Sequence, residues 1–253
     1  MTDLPAYVWA LVLAGALAIP AATSVALYRG ALAAGLGRRT GTTVAVTAGA
    51  AWGAWILLIT LLARADAFKQ DPTTLQPWLP LAFVVALVAP LLATRIPLVA
   101  RILAAPGTPA RLAWPQALRV VGVVFVLVTL LDRLPAVFAL PAGLGDVAVG
   151  LAAPLVARRL ARSAGDEGAR VRARWFNVLG LVDLVVALSL GFLAGLGPAR
   201  VLMVTPSTEA VTLLPLVLVP LTAVPLAAAL HVVSLRALGR TGVVRQRLLA
   251  GVE

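Results

Sequence analysis

Cysteine is absent from this 253-residue chain, and charged residues make up only 12% of it. The absence of cysteine excludes disulfides, thiolate metal sites and cysteine nucleophiles. A soluble domain carries about 25% charged residues, so the shortage of charge argues against an ordinary soluble protein. The hydrophobic content of 61% and the mean hydropathy of +1.01 instead predict a membrane protein.

Lysine and histidine are almost missing as well, with one residue of each. Because a lone histidine and no cysteine leave too few ligands for a zinc or haem site, we expect no metal and no cofactor. The other 20 basic residues are arginines, and alanine is abundant. This composition is typical of GC-rich bacterial coding sequence.

The net charge of +11 does not indicate a nucleic-acid-binding protein, because the basic residues lie in short clusters between apolar runs. In a membrane protein such clusters report topology. We therefore expect the lipid bilayer, with anionic headgroups on its cytoplasmic side, as the partner of these residues. We expect no nucleic acid.

The apolar runs predict an all-α fold. A helix needs roughly 20 apolar residues to cross a hydrocarbon core about 30 Å thick. The first run has no Arg or Lys before it, whereas a secretory signal needs a positive start, so we interpret it as a retained span. Residues 1–253 are thus predicted to form one integral membrane domain, a seven-transmembrane-helix bundle with spans at about 7–28, 43–63, 78–95, 116–132, 134–157, 175–195 and 210–235.

Arginine placement predicts the orientation. Alternate connections and the C-terminal tail carry sixteen basic residues, the other connections carry four, and Arg119 lies inside the fourth span. Positive residues favour the cytoplasmic side, so the N-terminus is predicted outside and the C-terminus in the cytoplasm of a bacterial inner (plasma) membrane. The sixteen are Arg29, Arg38, Arg39, Arg95, Arg101, Arg111, Arg158, Arg159, Arg162, Arg170, Arg172, Arg174, Arg236, Arg240, Arg245 and Arg247.

Two stretches resemble each other within the chain. Leu79–Leu103 and Leu214–Leu238 align without a gap and share 9 of 25 residues. This pattern suggests a weak parallel repeat of residues 1–103 and 134–238, an arrangement found in transporters. Chance similarity between two Ala/Leu/Val-rich segments is the alternative interpretation.

Five polar residues lie where hydrocarbon is expected: Arg119, Asp146, Asn177, Asp183 and His231. A charge at bilayer depth costs ~3 kcal/mol or more and usually faces the interior of the bundle. We therefore predict one polar cluster in the inner half of the bilayer, with Arg119 paired to Asp146 or Asp183. A purely structural role, in which buried pairs fix the helix packing, is the alternative to substrate binding, ion binding or proton relay.

Pro141, Gly143 and Gly145 precede Asp146 within the fifth span. Proline removes a backbone donor and glycine weakens a helix. We therefore expect an interruption of this span. Transporters place ligands at such breaks.

These features favour a small-solute permease of unknown substrate, with or without proton coupling, and not an enzyme. Asp146 and Asp183 would titrate or bind an ion, Arg119 would be the counter-charge or anion contact, and His231 an inner-side relay. A membrane sensor or accessory subunit without transport activity is the alternative. An intramembrane lipid-modifying enzyme is a weaker one, because the sequence has neither paired histidines nor a nucleophile elbow.

Overall fold

The computed structural model describes residues 4–74, 76–162 and 166–250, with side chains described as far as residue 240. Within these ranges all regular structure is helical and no strand occurs. The α-helices are α1 (Ala6–Ala33), α2 (Gly37–Arg64), α3 (Trp78–Ala93), α4 (Pro97–Ala104), α5 (Thr108–Ala113), α6 (Val123–Leu130), α7 (Ala136–Arg162), α8 (Glu167–Leu193) and α9 (Val224–Ala250). The other helical segments are two 3₁₀ helices, Trp114–Gly122 and Thr208–Thr212, and one π-helix, Val219–Ala223.

Six helical segments are long and apolar enough to cross a bilayer, which confirms an all-helical, multi-pass membrane protein. They are Ala6–Ala33, Gly37–Arg64, Thr108–Leu130, Ala136–Arg162, Glu167–Leu193 and Val219–Arg240. Helix α3 is shorter, at 16 residues, and joins α4 through a bend of 78°.

Large apolar side chains cover the outside of the bundle, as expected for a surface that faces lipid. Leu17, Leu57, Leu151 and Val185 are each more than half exposed. Helix α2 is the most peripheral, because Gly41 and Ile59 are its only buried residues out of 28. The hydrocarbon of a membrane would cover these side chains, whereas soluble proteins rarely expose so large an apolar surface to water.

The last span begins at Val219, later than the predicted start at residue 210. Pro215 contributes to the delay, because it cannot donate the backbone hydrogen bond of a regular helix, whereas Pro220 lies in the first turn of the segment, where proline is tolerated. Pro225 also leaves the carbonyl of Leu221 without its helical donor, and the indole Nε1 of Trp55 donates to that oxygen instead, at 2.8 Å. A neighbouring helix thus satisfies the backbone that proline leaves unpaired.

The connection between the predicted spans 134–157 and 175–195 is mostly helix. Helix α7 continues to Arg162, and α8 starts at Glu167 with Asp166 as its N-cap, which accepts from Gly168 N at 2.9 Å and Ala169 N at 3.1 Å. Residues 163–165 lie outside the described part of the chain. A side-chain N-cap stabilises a helix by about 1 kcal/mol, so this acidic segment starts a helix where a loop was expected.

The structure does not test the predicted internal repeat, which stays a prediction. Within the aligned stretches, α3 is followed by a sharp bend, whereas the π-helix is followed directly by α9. The side chains of Arg245 and Arg247, counted in the orientation argument, lie outside the described residues.

Candidate functional site

A nine-residue 3₁₀ helix, Trp114–Gly122, lies in the middle of one apolar segment. Such helices rarely exceed four residues, and a long one within a span often marks a functional position. With three residues per turn, Gln116, Arg119 and Gly122 lie on one side of it, and all three are buried. Sequence periodicity alone did not indicate this geometry.

The guanidinium of Arg119 contacts three other helices. Its Nε donates to Oδ1 of Asp146 on α7 at 2.6 Å, and its Nη2 donates to Oδ2 of Asp183 on α8. Its Nη1 lies 3.1 Å from Nε2 of His231 on α9. The Arg119 side chain is 3% exposed. Both of the alternative pairs expected from the sequence are therefore present together.

The hydrogen bonds define the state of His231. Because arginine only donates, Nε2 of His231 must accept from Arg119, which leaves the proton on Nδ1. Nδ1 then donates to Oδ1 of Asn177 at 2.9 Å, and Nδ2 of Asn177 donates to the carbonyl of Ala173 at 2.7 Å. His231 is thus a neutral imidazole in this arrangement.

All five polar residues predicted from the sequence therefore form one connected cluster. Asp146 and Asp183 each lie ten residues from the helix ends at Ala136 and Leu193, which is about 15 Å at 1.5 Å per residue. The structure brings the cluster together, whereas its position in the inner half of a bilayer and its role in binding or relay stay predictions. Among the described residues, no three His, Asp or Glu side chains are grouped as metal ligands.

Glycines make room for each partner of Arg119. A Cβ atom at Gly122 would overlap the Asp146 side chain, one at Gly145 would overlap the Asp183 carboxylate, and one at Gly180 would overlap the His231 ring. The small residues thus let the helices approach closely, as in other membrane bundles. Gly122 was not singled out from the sequence.

The predicted interruption at Pro141, Gly143 and Gly145 is wrong, because α7 is one continuous helix from Ala136 to Arg162. A membrane helix tolerates proline when neighbouring groups compensate for the missing donor. Gly143 packs against the 3₁₀ helix, where an added Cβ would lie 3.0 Å from the carbonyl oxygen of Gly122. The glycines here serve packing between helices.

We expect Gly145→Ala and Gly180→Ala to lower the thermal unfolding temperature of the purified protein. Alanine normally stabilises a helix interior by up to about 1 kcal/mol relative to glycine, but here the added methyl group displaces Asp183 or His231 and costs about 1–3 kcal/mol through overpacking. Gly53→Ala in α2 is the matched control, since its Cβ would meet no atom within 4 Å. Equal melting of all three variants would contradict the packing role.

A cavity of about 270 Å³ borders the cluster. Asp146 and Asp183 lie on its wall, together with four of the six phenylalanines: Phe83, Phe125, Phe138 and Phe192. The rings of Phe125 and Phe138 pack edge to face with centroids 5.4 Å apart. The volume exceeds the 150 Å³ that accommodates benzene in a cavity of known size. A small organic molecule therefore fits beside the two carboxylates.

The cavity extends to the loops that follow α2 and α8. Gln70 lines it and holds the two loops together, because its Oε1 accepts from the backbone N of Leu196 at 2.7 Å. Next to it, Asp71 accepts hydrogen bonds from the Thr73 hydroxyl and from the backbone N atoms of Thr73 and Thr74. These bonds, the Thr73 side-chain bond first, lower the pKa of Asp71 below its usual value.

Sequence reasoning missed Gln116, the phenylalanine walls and Gly122. Gln116 is 1% exposed, and its Nε2 donates to the carbonyl of Ala227 at 3.0 Å. An amide three residues before Arg119 inside an apolar run was the available signal. The phenylalanines gave none, because aromatic residues in membrane helices commonly face lipid.

Comparison with known proteins identifies the family of this chain but not its function. A protein family described as a domain of unknown function, DUF8737, matches residues 76–239, which is more than half of the chain. The chain belongs to this family. The matched range contains Arg119, Asp146, Asn177, Asp183 and His231. No curated protein and no solved structure matches significantly.

Proposed function

We propose that this protein is a membrane permease for a small solute and that the solute binds in the cavity beside Asp146 and Asp183. The observation that carries the proposal is the extent of this cavity, which is lined by Gln70 of the loop after α2 as well as by Asp146 and Asp183. A cluster with a purely structural role would need no cavity beside its carboxylates.

Irregular helical geometry supports this function. Transporters commonly form their binding sites from helices with non-standard turns near the middle of the bilayer. Here Arg119 lies on a 3₁₀ helix, and Val219 and Pro220 of the π-helix line the cavity.

We further infer that the chain crosses the bilayer seven times, with the N-terminus outside and the C-terminus in the cytoplasm of a bacterial inner membrane. The crossing that is added to the six long segments is α3. Its 16 residues extend about 24 Å and end at the bend before α4. The distribution of sixteen basic residues against four supports this orientation. In this orientation, the loops after α2 and α8 that border the cavity face outward.

The absence of cysteine from the native chain allows a test by single-cysteine labelling. Ala187 lines the cavity. In a permease the same site opens alternately to both sides, so Ala187→Cys is expected to react with a membrane-impermeable thiol reagent in right-side-out vesicles and also in inverted vesicles.

Ala153→Cys is the control, because Ala153 is fully buried on α7 and packs away from the cavity. It should react from neither side. Reaction of Ala187→Cys from the outside alone would overturn the permease proposal and favour a sensor or accessory subunit. No reaction from either side would show that the cavity is closed and would also contradict transport.

A further inference from the structure

The charged side chains on the described wall of the cavity are acidic. Its lining residues include both Asp146 and Asp183 but no Arg or Lys, within the part of the chain that the structure describes. Arg119 lies behind the carboxylates, and its Nε, Nη1 and Nη2 all make contacts within the cluster. A solute in the cavity thus meets carboxylates and no cation. This arrangement disfavours the predicted role of Arg119 as an anion contact.

The cluster also has more negative than positive groups. The 3₁₀ helix contributes Arg119, α7 contributes Asp146, α8 contributes Asp183, and α9 contributes the neutral His231. One guanidinium balances one carboxylate. An isolated second carboxylate is costly at low dielectric, so it needs either a proton or a cation from the cavity.

The remaining wall identifies the kind of cation. A bare metal ion prefers six or more oxygen ligands, whereas this wall is mostly Phe, Leu, Val and Ala. Besides the two carboxylates, only Gln70, Thr208 and Thr212 of its described lining residues carry side-chain oxygens, and Oε1 of Gln70 already accepts from the backbone N of Leu196. Aromatic walls with a carboxylate are instead typical of sites for alkylated ammonium groups, which bind through cation–π attraction.

We propose that the cavity binds a monovalent organic cation, an alkylated or protonated amine, which takes the place of a proton on the Asp146/Asp183 pair. This inference rests on the proposed function and specifies its substrate class. Arg119 keeps one carboxylate paired, and the ammonium group of the solute pairs with the other. The alkyl groups occupy the space between the phenylalanine rings.

Competition with a proton gives the binding a pH dependence of known sign. Where the empty site holds a proton, cation binding must release it, so affinity falls as the pH falls, by about tenfold per pH unit. The groups that face this site are Arg119, Asp146, Asp183 and neutral His231.

Thermal shift and calorimetry of the full-length purified protein test the proposal with a matched pair of probes. Choline carries a quaternary nitrogen, and its neutral isostere has a carbon atom in that place. We expect choline to raise the unfolding temperature and the neutral isostere to have little effect. Lowering the pH by two units from neutrality should weaken choline binding at constant salt.

An aromatic variant adds a second measurement. Phe83→Leu removes a ring from the cavity wall and is expected to weaken choline binding about threefold to tenfold without changing the effect of the isostere. Phe68→Leu is the control, because Phe68 is a buried aromatic residue outside the cavity wall. Equal loss of choline binding in both variants would contradict the role of the ring.

Equal binding of choline and its isostere would overturn the proposal, because the cavity would then recognise apolar volume alone. Absence of binding by choline, tetramethylammonium and methylammonium would also overturn it. The two proposals fail separately. Two-sided labelling of Ala187→Cys without cation binding would leave a permease of another substrate class, whereas cation binding with one-sided labelling would leave a sensor.

Discussion

Replacing Arg119 by methionine is expected to destabilise the protein by about 3–5 kcal/mol, the range for a buried pair that loses one partner. The variant leaves the carboxylates of Asp146 and Asp183 close together inside the bundle without the guanidinium that joins them. It also removes the donor to Nε2 of His231. Thermal unfolding of the detergent-solubilised protein, followed by helical circular dichroism, measures the loss.

Two further variants separate charge from packing. Arg101→Met changes an exposed arginine on α4 and should melt within a few degrees of the wild type. Adding Asp146→Asn and Asp183→Asn to Arg119→Met removes the uncompensated charges and should restore most of the stability. A triple variant as unstable as Arg119→Met would show that the cost arises from lost packing of the arginine, contrary to this explanation.

Asp146→Asn and Asp183→Asn are expected to abolish transport while the protein remains folded and inserted. Each single variant leaves Arg119 with one carboxylate partner, so no buried charge becomes unpaired and the protein is expected to stay folded. The site then has no negative charge for a cation. A unit charge at 4 Å contributes about 4 kcal/mol at an effective dielectric of 20, so choline affinity should fall by about a hundredfold or more.

Uptake of labelled choline into proteoliposomes measures this effect, with empty vesicles as the background. Asp132→Asn is the matched control, since Asp132 is exposed between α6 and α7 and has φ 55°, a conformation that asparagine accepts as readily as aspartate. Wild-type uptake by Asp146→Asn or Asp183→Asn would remove that carboxylate from the mechanism. Reduced uptake by Asp132→Asn would indicate a non-specific effect of the substitution.

The sequence was sufficient to predict the helical class and the grouping of the polar residues. Both follow from large energies. About 20 apolar residues in a row have few alternatives to a membrane helix, and a buried Arg119 needs a carboxylate partner. Asp146 and Asp183 lie on the two spans that follow, so grouping them with Arg119 pairs the buried charges.

Smaller energies decided the features that the sequence did not predict. Hydrophobic periodicity does not distinguish a 3₁₀ turn from an α-turn, so the geometry around Arg119 depends on how this segment packs against α7 and α1. Pro141 and Gly143 are compatible with both a broken helix and a close helix contact, and the neighbouring Val126 and Gly122 decide between them. The cavity walls depend on which face of each helix points inward.

The order of the charged residues along the chain affects how the protein is inserted during synthesis. Arg119 and Asp146, 27 residues apart, lie on consecutive spans joined by a short turn. The two spans can therefore enter the bilayer as a helical hairpin that already contains an ion pair, whereas separate entry would expose each charge at about 3 kcal/mol. Asp183 and His231 are synthesised later and reach an arginine that is already in place, because Arg119 precedes all three of its partners along the chain.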